Sequence, residues 1–286
     1  MTNNSFWTKI FSFLKKWYIF IILAIIYIPL ILVVLISFNP ATNRENISLN
    51  FGVPTFVNYI TLWSNDIFVN GLLNTLLLCA IITPISLLIG IIASYGIWKS
   101  NVVIKSFVMN TSRLSIINPD AITGISLLIL FSSTIIPMGF NFGFFTVVLA
   151  HISFCTPYVI ITVYPKMIKM NPNLIMASYD LGASKFRTFR KVIIPYLAPS
   201  ILSATAIVIA MSWDDFVITN LVNGSWQTIG TAIYMTRKGI KAWVITFGAI
   251  MILITILVIM ILSIIKFKRA HFNKNKKLNR RVYNAN

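Results

Sequence analysis

The sequence predicts an all-α integral membrane protein with six transmembrane helices. Three observations carry that expectation. Hydrophobic residues make up 57% of the 286, charged residues only 10%, and mean hydropathy is +0.84. A soluble domain carries about a quarter charged residues. The six acidic residues here (Glu45, Asp66, Asp120, Asp180, Asp214 and Asp215) cannot solvate a 32.3 kDa globule. A soluble enzyme and a disordered chain are both excluded. The third observation is that the apolar residues fall in six long runs.

A backbone crossing lipid must satisfy its own hydrogen bonds, so each run is read as a helix. The runs are Trp17 to Phe38, Gly71 to Trp98, Asn118 to Ile136, Phe144 to Pro165, Ala198 to Val222 and Trp243 to Ile265. Each is near the ~20 residues that cross ~30 Å of hydrocarbon, or longer and tilted. Lys9, Lys15 and Lys16 before the first run suggest a signal peptide. The run exceeds a signal core and no A-x-A site follows, so an uncleaved first helix is expected. Between the first and second runs, Tyr59 and Trp63 fit an interfacial aromatic belt.

Net charge is +18 and pI about 10.1, which in a soluble protein would point to nucleic acid. Here the basic residues sit between apolar runs. Twenty of the 24 Lys and Arg lie in the N-terminus (Lys9, Lys15, Lys16), the second-to-third loop (Lys99, Lys105, Arg113), the fourth-to-fifth loop (Lys166, Lys169, Lys185, Arg187, Arg190, Lys191) and the tail from Lys266. Arg44, Arg237, Lys238 and Lys241 are the other four. Positive charge stays cytoplasmic, so both termini are expected there. The organisation read from this is a cytoplasmic N-terminus (1–16), a six-helix domain (17–265) with a cytoplasmic loop at 166–197, and a basic, lipid-facing tail (266–286). No nucleic-acid partner is expected.

Catalytic constellations are not readable. None of the twelve glycines precedes a lysine, so no G-x-x-x-x-G-K-[ST] loop exists and the chain holds no ATP site of that kind. Cys79 and Cys155 lie in apolar runs without a C-x-x-C. His151 has no second ligand at metal spacing and reads as a packed, hydrogen-bonded histidine. No enzyme, metal site or cofactor is expected of this chain.

The most informative stretch runs from Asn171 to Pro195. Asn171 and Pro172 can start a short helix, Gly182 can end it in the left-handed region, and Ser184 can cap a second. Phe186, Phe189 and Ile193 follow at helical spacing, and Pro195 and Pro199 are expected to separate this second helix from the fifth span. Two short helices around a glycine corner make a knob, read either as an amphipathic connector or as a docking element.

The stretch resembles the EAA loop of ABC importer permeases: Glu-Ala-Ala, three residues, Gly, then a distal Pro. Ala177, Asp180, Leu181, Gly182, Ala183, Phe189 and Pro195 match; Met176 stands at the Glu position and Ser178 at the second Ala. Met176 would replace a polar anchor by packing into an apolar groove, which its flexible side chain suits. Segments from Pro119-Asp120, His151 to Val159 and Ser212 to Thr219 are similar to the C-type permease subunits of spermidine/putrescine importers. That resemblance implies a type I ABC importer permease fold in the plasma membrane of a bacterium. It implies a second permease completing the pore, two copies of an ATPase that use ATP and Mg, and an extracytoplasmic polyamine-binding protein. It also implies alternating access, with ATPase motion entering through the knob.

Asp214 and Asp215 are expected about 16 residues into the fifth span, about 24 Å from its cytoplasmic end. An ionisable group at the centre of a span costs roughly 2.5–3.5 kcal/mol to insert. One reading makes them, with Asp120, negative charges along the path of a polycation. The other has one or both bond a neighbouring helix or cap a helix break. The rivals to a polyamine importer are an ABC permease for ferric ion, sulfate or molybdate, an ion-driven secondary transporter or channel, and a membrane-embedded enzyme. Paired carboxylates argue against the two anions, and the EAA-like loop argues against an ion-driven carrier.

Cysteines placed at Asn4, Ser184 and Asn284, in a background lacking Cys79 and Cys155, should resist impermeant thiol reagents in intact cells. Labelling at Ser184 from outside would invert this topology.

Overall fold

A computed structural model describes residues 4–42, 45–236 and 239–283, with side chains for 17–42, 45–236 and 239–268. Arg44, Arg237, Lys238 and Asn284 lie outside the described residues, as do the side chains of Lys9, Lys15, Lys16 and the tail from Arg269. The described residues are helical, with isolated bridges at Ala41–Ile47 and Asn46–Lys241 and no strand. Among the described residues five helices are long and apolar enough to cross a membrane, or six if one bent pair counts as a span.

The chain divides into two compact units. One comprises Met1–Asn65 and Thr236–Asn286. It holds α1 (Asn4–Ile36), the short α2 (Val57–Thr61) and α12 (Ala242–Tyr283). Isoleucine and leucine dominate α1 from Trp17, and its side chains there are exposed nearly throughout. Helix α12 runs well beyond the expected Ile265, because no proline or glycine interrupts it after Gly248.

The other unit is Asp66–Met235. Its centre is α3 (Asp66–Lys99), α6 (Phe144–Ile168) and α9 (Ile194–Asp214), packed through Leu78, Ile82, Val147, Cys155, Val159 and Ala204. Apolar side chains gain little by leaving lipid, so small residues that allow close approach decide where such helices meet. At Gly90 of α3, an added Cβ would sit 2.5 Å from Val159 Cγ1 on α6. The α3–α6 contact is therefore set by a missing side chain.

Two expected spans take different courses. The third is an angled pair, α4 (Val102–Ile117) and α5 (Asp120–Thr134), bent by 108°. Pro119 has no N–H and pushes Asn118 into an extended conformation (ψ 132°), which breaks the helix there. Helix α5 has only 15 residues, about 22 Å. Helix α4, capped by the Asn101 side chain on Ile104 N–H, occupies what the charges of Lys105 and Arg113 made look like a loop.

The fifth span begins earlier and ends earlier than expected. Helix α8 (Lys185–Thr188) continues through a π-helical turn (Phe189–Ile193) directly into α9, giving 30 unbroken residues, Lys185–Asp214, about 45 Å long. Pro195 and Pro199 therefore separate nothing. Pro195 would clash with the carbonyl four residues back. The wider π turn, in which Ile194 N–H reaches Phe189 O, moves that carbonyl aside and keeps the helix continuous. At the other end the helix stops at Asp214, well before Val222, and the short α10 (Val217–Val222) and α11 (Ile229–Met235) follow.

Gly90→Val should lower the thermal stability of the purified protein by roughly 1–3 kcal/mol through overpacking. Gly96, on the same helix with nothing within 4 Å of an added Cβ, should accept alanine without loss. Equal melting curves for the two variants would refute this packing argument.

Candidate functional site

Two places in the Asp66–Met235 unit hold most of the residues that the sequence singles out. The first is the knob. Helix α7 (Asn173–Asp180) starts where Asn171 Oδ1 accepts from Asn173 N–H, 3.0 Å. It ends in a Schellman motif: Ala183 N–H donates to Ser178 O (3.0 Å) and Gly182 N–H to Tyr179 O (2.8 Å). Gly182 has φ +74°, the left-handed value that glycine adopts without a Cβ penalty. Ser184 then caps α8 by accepting from Arg187 N–H. The two arms are tied by a 2.9 Å hydrogen bond between the hydroxyls of Ser178 and buried Thr188.

This frame fixes which residues face outward. Met176, Ala177, Asp180, Leu181 and Phe186 are exposed, Leu181 at 88%. Ala183 and Phe189 are half-buried. The Phe189 ring packs edge-on to Tyr95 of α3 at 5.2 Å, and Lys99 Nζ lies 4.7 Å over the other ring of that pair, Tyr95. The knob is thus a rigid corner with an apolar tip on a continuous helix. Among the eight sequence candidates here, Pro195 alone stands apart, inside the shaft.

The second place is the break between α9 and α10. Asp215 is extended (φ −67°, ψ 123°) and its carboxylate caps α10. Oδ1 accepts from Ile218 N–H at 3.1 Å. Oδ2 accepts from Thr219 N–H at 2.9 Å and from the Thr219 hydroxyl at 2.6 Å. The single hydroxyl proton of Thr219 goes to Asp215, so its oxygen accepts from His151 Nε2, 2.9 Å away on α6. His151 Nε2 is also 3.5 Å from Asp215 Oδ2, with both side chains buried. One turn along α6, Cys155 Sγ lies 3.6 Å from Ser212 Oγ. At the far end of α10, Thr146 donates to Val222 O at 2.6 Å. Asp214, by contrast, is exposed, and Asp120 stands exposed in the first turn of α5.

Sequence reasoning placed Asp215 beside Asp214 but not beside His151 and Thr219. The four-residue spacing from Asp215 to Thr219 is a capping signal, whereas the histidine sits on another helix, beyond any local pattern. Among the described residues no group of three or more His, Cys, Asp or Glu could hold a metal.

Comparison with known proteins decides what such a chain is. Residues 86–271 match the binding-protein-dependent transport system inner membrane component family. The chain belongs to that family. This permease is 42% identical over 264 residues to a spermidine/putrescine transport system permease protein PotC homolog of Mycoplasma genitalium, covering 90% of this chain and 93% of the relative. It is 28% identical over 240 residues to the PotC permease protein of Escherichia coli, covering 83% and 88%. A bacterial ABC transporter involved in import of the acidic polysaccharide alginate shares the fold: TM-score 0.64 and 15% identity over 90% of this chain and 96% of that one. The permease is a membrane-embedded ABC importer subunit. Membership implies, in general, a partner permease, an ATPase and a binding protein.

Asp215→Asn should destabilise the permease by about 1–2 kcal/mol, because one cap acceptor becomes a donor facing an N–H. Asp214→Asn, at an exposed position, should melt like wild type. Thermal unfolding in detergent reads both, and the reverse order of effects would overturn the capping assignment.

Proposed function

We propose that this permease is one half of the pore of an ATP-driven importer that carries spermidine or putrescine across the cell membrane of a bacterium. The observation that carries this reading is 42% identity across 90% of the chain to a permease of that named system. The knob supports a docking role: Met176, Ala177, Ser178, Asp180, Gly182, Ala183 and Phe189 form or support its surface, with Pro195 in the shaft behind it. Two copies of a cytoplasmic ATPase supply ATP and Mg chemistry, and one of them seats on the apolar tip. The other partners are a second permease and an extracytoplasmic polyamine-binding protein. In this topology both termini and the knob face the cytoplasm.

The mechanism follows from continuity. A displacement of the knob by the closing ATPase travels along the unbroken Lys185–Asp214 helix without a hinge to absorb it. It arrives at the α9–α10 break, where Asp214 is exposed and Asp215 is locked by Thr219 and His151. In the transport step Asp214, with Asp120, offers negative charge to a polycation that has shed water. Asp215 positions Asp214 by holding the break.

The test is ATP-dependent uptake of labelled spermidine and putrescine by proteoliposomes holding this permease, its partner, the ATPase and the binding protein. Asp214→Asn should lower uptake by about tenfold, the scale of one charge-assisted hydrogen bond, with the complex intact. Gly182→Val forces a β-branched residue into positive φ at a cost of about 1–2 kcal/mol, so it should abolish ATPase coupling while the permease pair still assembles. Failure to carry either polyamine would sink the substrate assignment, and normal coupling in Gly182→Val would sink the docking assignment.

A further inference from the structure

Helix α2 and the turn after it (Leu62–Ser64) are inside out. A short helix on the surface of a protein in water buries its apolar side and shows its polar one. Here Asn58 is 4% exposed and Ile60 71%, and Phe56, Val57 and Trp63 are exposed on the same side as Ile60. Phe56 and Val57 stand four and three residues before Ile60, and Trp63 three after it, so all three flank Ile60 on one broad face. Only Leu62 of the large apolar residues in this stretch turns inward with Asn58.

The inward asparagine has a defined task. Asn58 Nδ2 donates to Ser37 O (3.0 Å) and Asn39 O (2.7 Å), carbonyls just past the end of α1. The Tyr59 hydroxyl meets Ser37 Oγ at 2.6 Å, and Thr55 N–H donates to Phe38 O at 2.7 Å. The rings of Phe38, Phe56 and Tyr59 pack with centroids 5.2–6.2 Å apart. Helix α2 is therefore bolted to the last turn of a span. The carbonyls it holds lie one to three residues, at most roughly 10 Å of chain, past the end of α1 at Ile36; for a spanning α1 that is the headgroup level.

We infer that the exposed face of α2, with Phe51 of the approach to it, is an interfacial membrane-binding surface embedded among the glycerol and upper acyl groups of the leaflet opposite the N-terminus. Two observations favour lipid over a protein occupant. The twenty residues from Asn46 to Asn65 contain no charged side chain to give a protein partner specificity. The exposed apolar side chains of α1 run to Leu35, two residues before the Ser37 to which α2 is bonded, and α1 is long and apolar enough to cross a membrane. Apolar and aromatic side chains at this depth partition into the interface. The inference rests on the membrane placement of α1 and not on the polyamine reading.

The experiment uses the assembled transporter in nanodiscs, on a Cys79→Ala/Cys155→Ala background, with an environment-sensitive fluorophore at Ile60→Cys, Phe51→Cys or, as the water-facing reference, Thr42→Cys. Two quenchers are compared: a phospholipid carrying a nitroxide near its glycerol, and a water-soluble nitroxide. The probes at Ile60 and Phe51 should be quenched several-fold more by the lipid nitroxide than the probe at Thr42, and several-fold less by the aqueous one, with or without the binding protein. Aqueous quenching at Ile60 and Phe51 equal to that at Thr42 would overturn the inference. So would shielding from both quenchers that disappears when the binding protein is withheld, since that would make the face a protein-docking surface. Two probe positions keep the result independent of the folding of either variant.

Discussion

Inside hydrocarbon a peptide group finds no water, so a helix that stops there must have its loose N–H and C=O groups met by something else. Most of what is distinctive in this permease follows from how its helix interruptions are met. Asp215 takes two N–H groups at the start of α10, and Thr146 gives its hydroxyl to the carbonyl of Val222 near its end. At Pro195 the ladder is widened into a π turn rather than cut. Beyond α1, Asn58 serves the carbonyls of Ser37 and Asn39. Each interruption stitched in this way has its loose backbone groups met by a named partner, so the breaks carry a defined geometry.

The knob has a defined geometry too. The Schellman corner at Gly182 and the Ser178–Thr188 bond make the knob one body. The π turn fuses that body to a helix of 30 residues ending at Asp214. A loose proline linker at Pro195 would separate the knob from the fifth span, whereas here one continuous helix joins it to the break beside Asp215, Thr219 and His151. A buried polar network of this kind is costly if any member is lost and specific if all are kept, which suits a point where two helical segments must hold one relative setting.

Much of this was legible in the chain itself. Apolar runs above ~20 residues predict spans because lipid leaves no alternative to helix, and that reasoning needs no knowledge of neighbours. The Gly182 corner and the Ser184 cap are also local, since left-handed φ and side-chain capping depend on a few adjacent residues. The break at Pro119 is equally local in origin, yet α4 was hidden because Lys105 and Arg113 made a helix look like a loop. At Pro195 the local rule pointed the wrong way: the same ring that usually ends a helix was accommodated by five residues of π geometry.

Composition and order of residues alone determined that this is a multi-span membrane protein with a glycine-cornered knob before its fifth span, because those features arise from hydrophobic length and backbone sterics. Tertiary structure alone decided the roles of the adjacent carboxylates. Asp214 and Asp215 are chemically identical and sequence neighbours, but a helix that stops between them turns one outward and presents the other to Thr219 and, on a helix some sixty residues away, His151. It likewise turned Asn58 inward and Ile60 outward, against the usual pattern, because the carbonyls at the end of α1 offered the asparagine better partners than the surroundings could. Such choices depend on which distant groups arrive within hydrogen-bond reach, and no local pattern of residues carries that information.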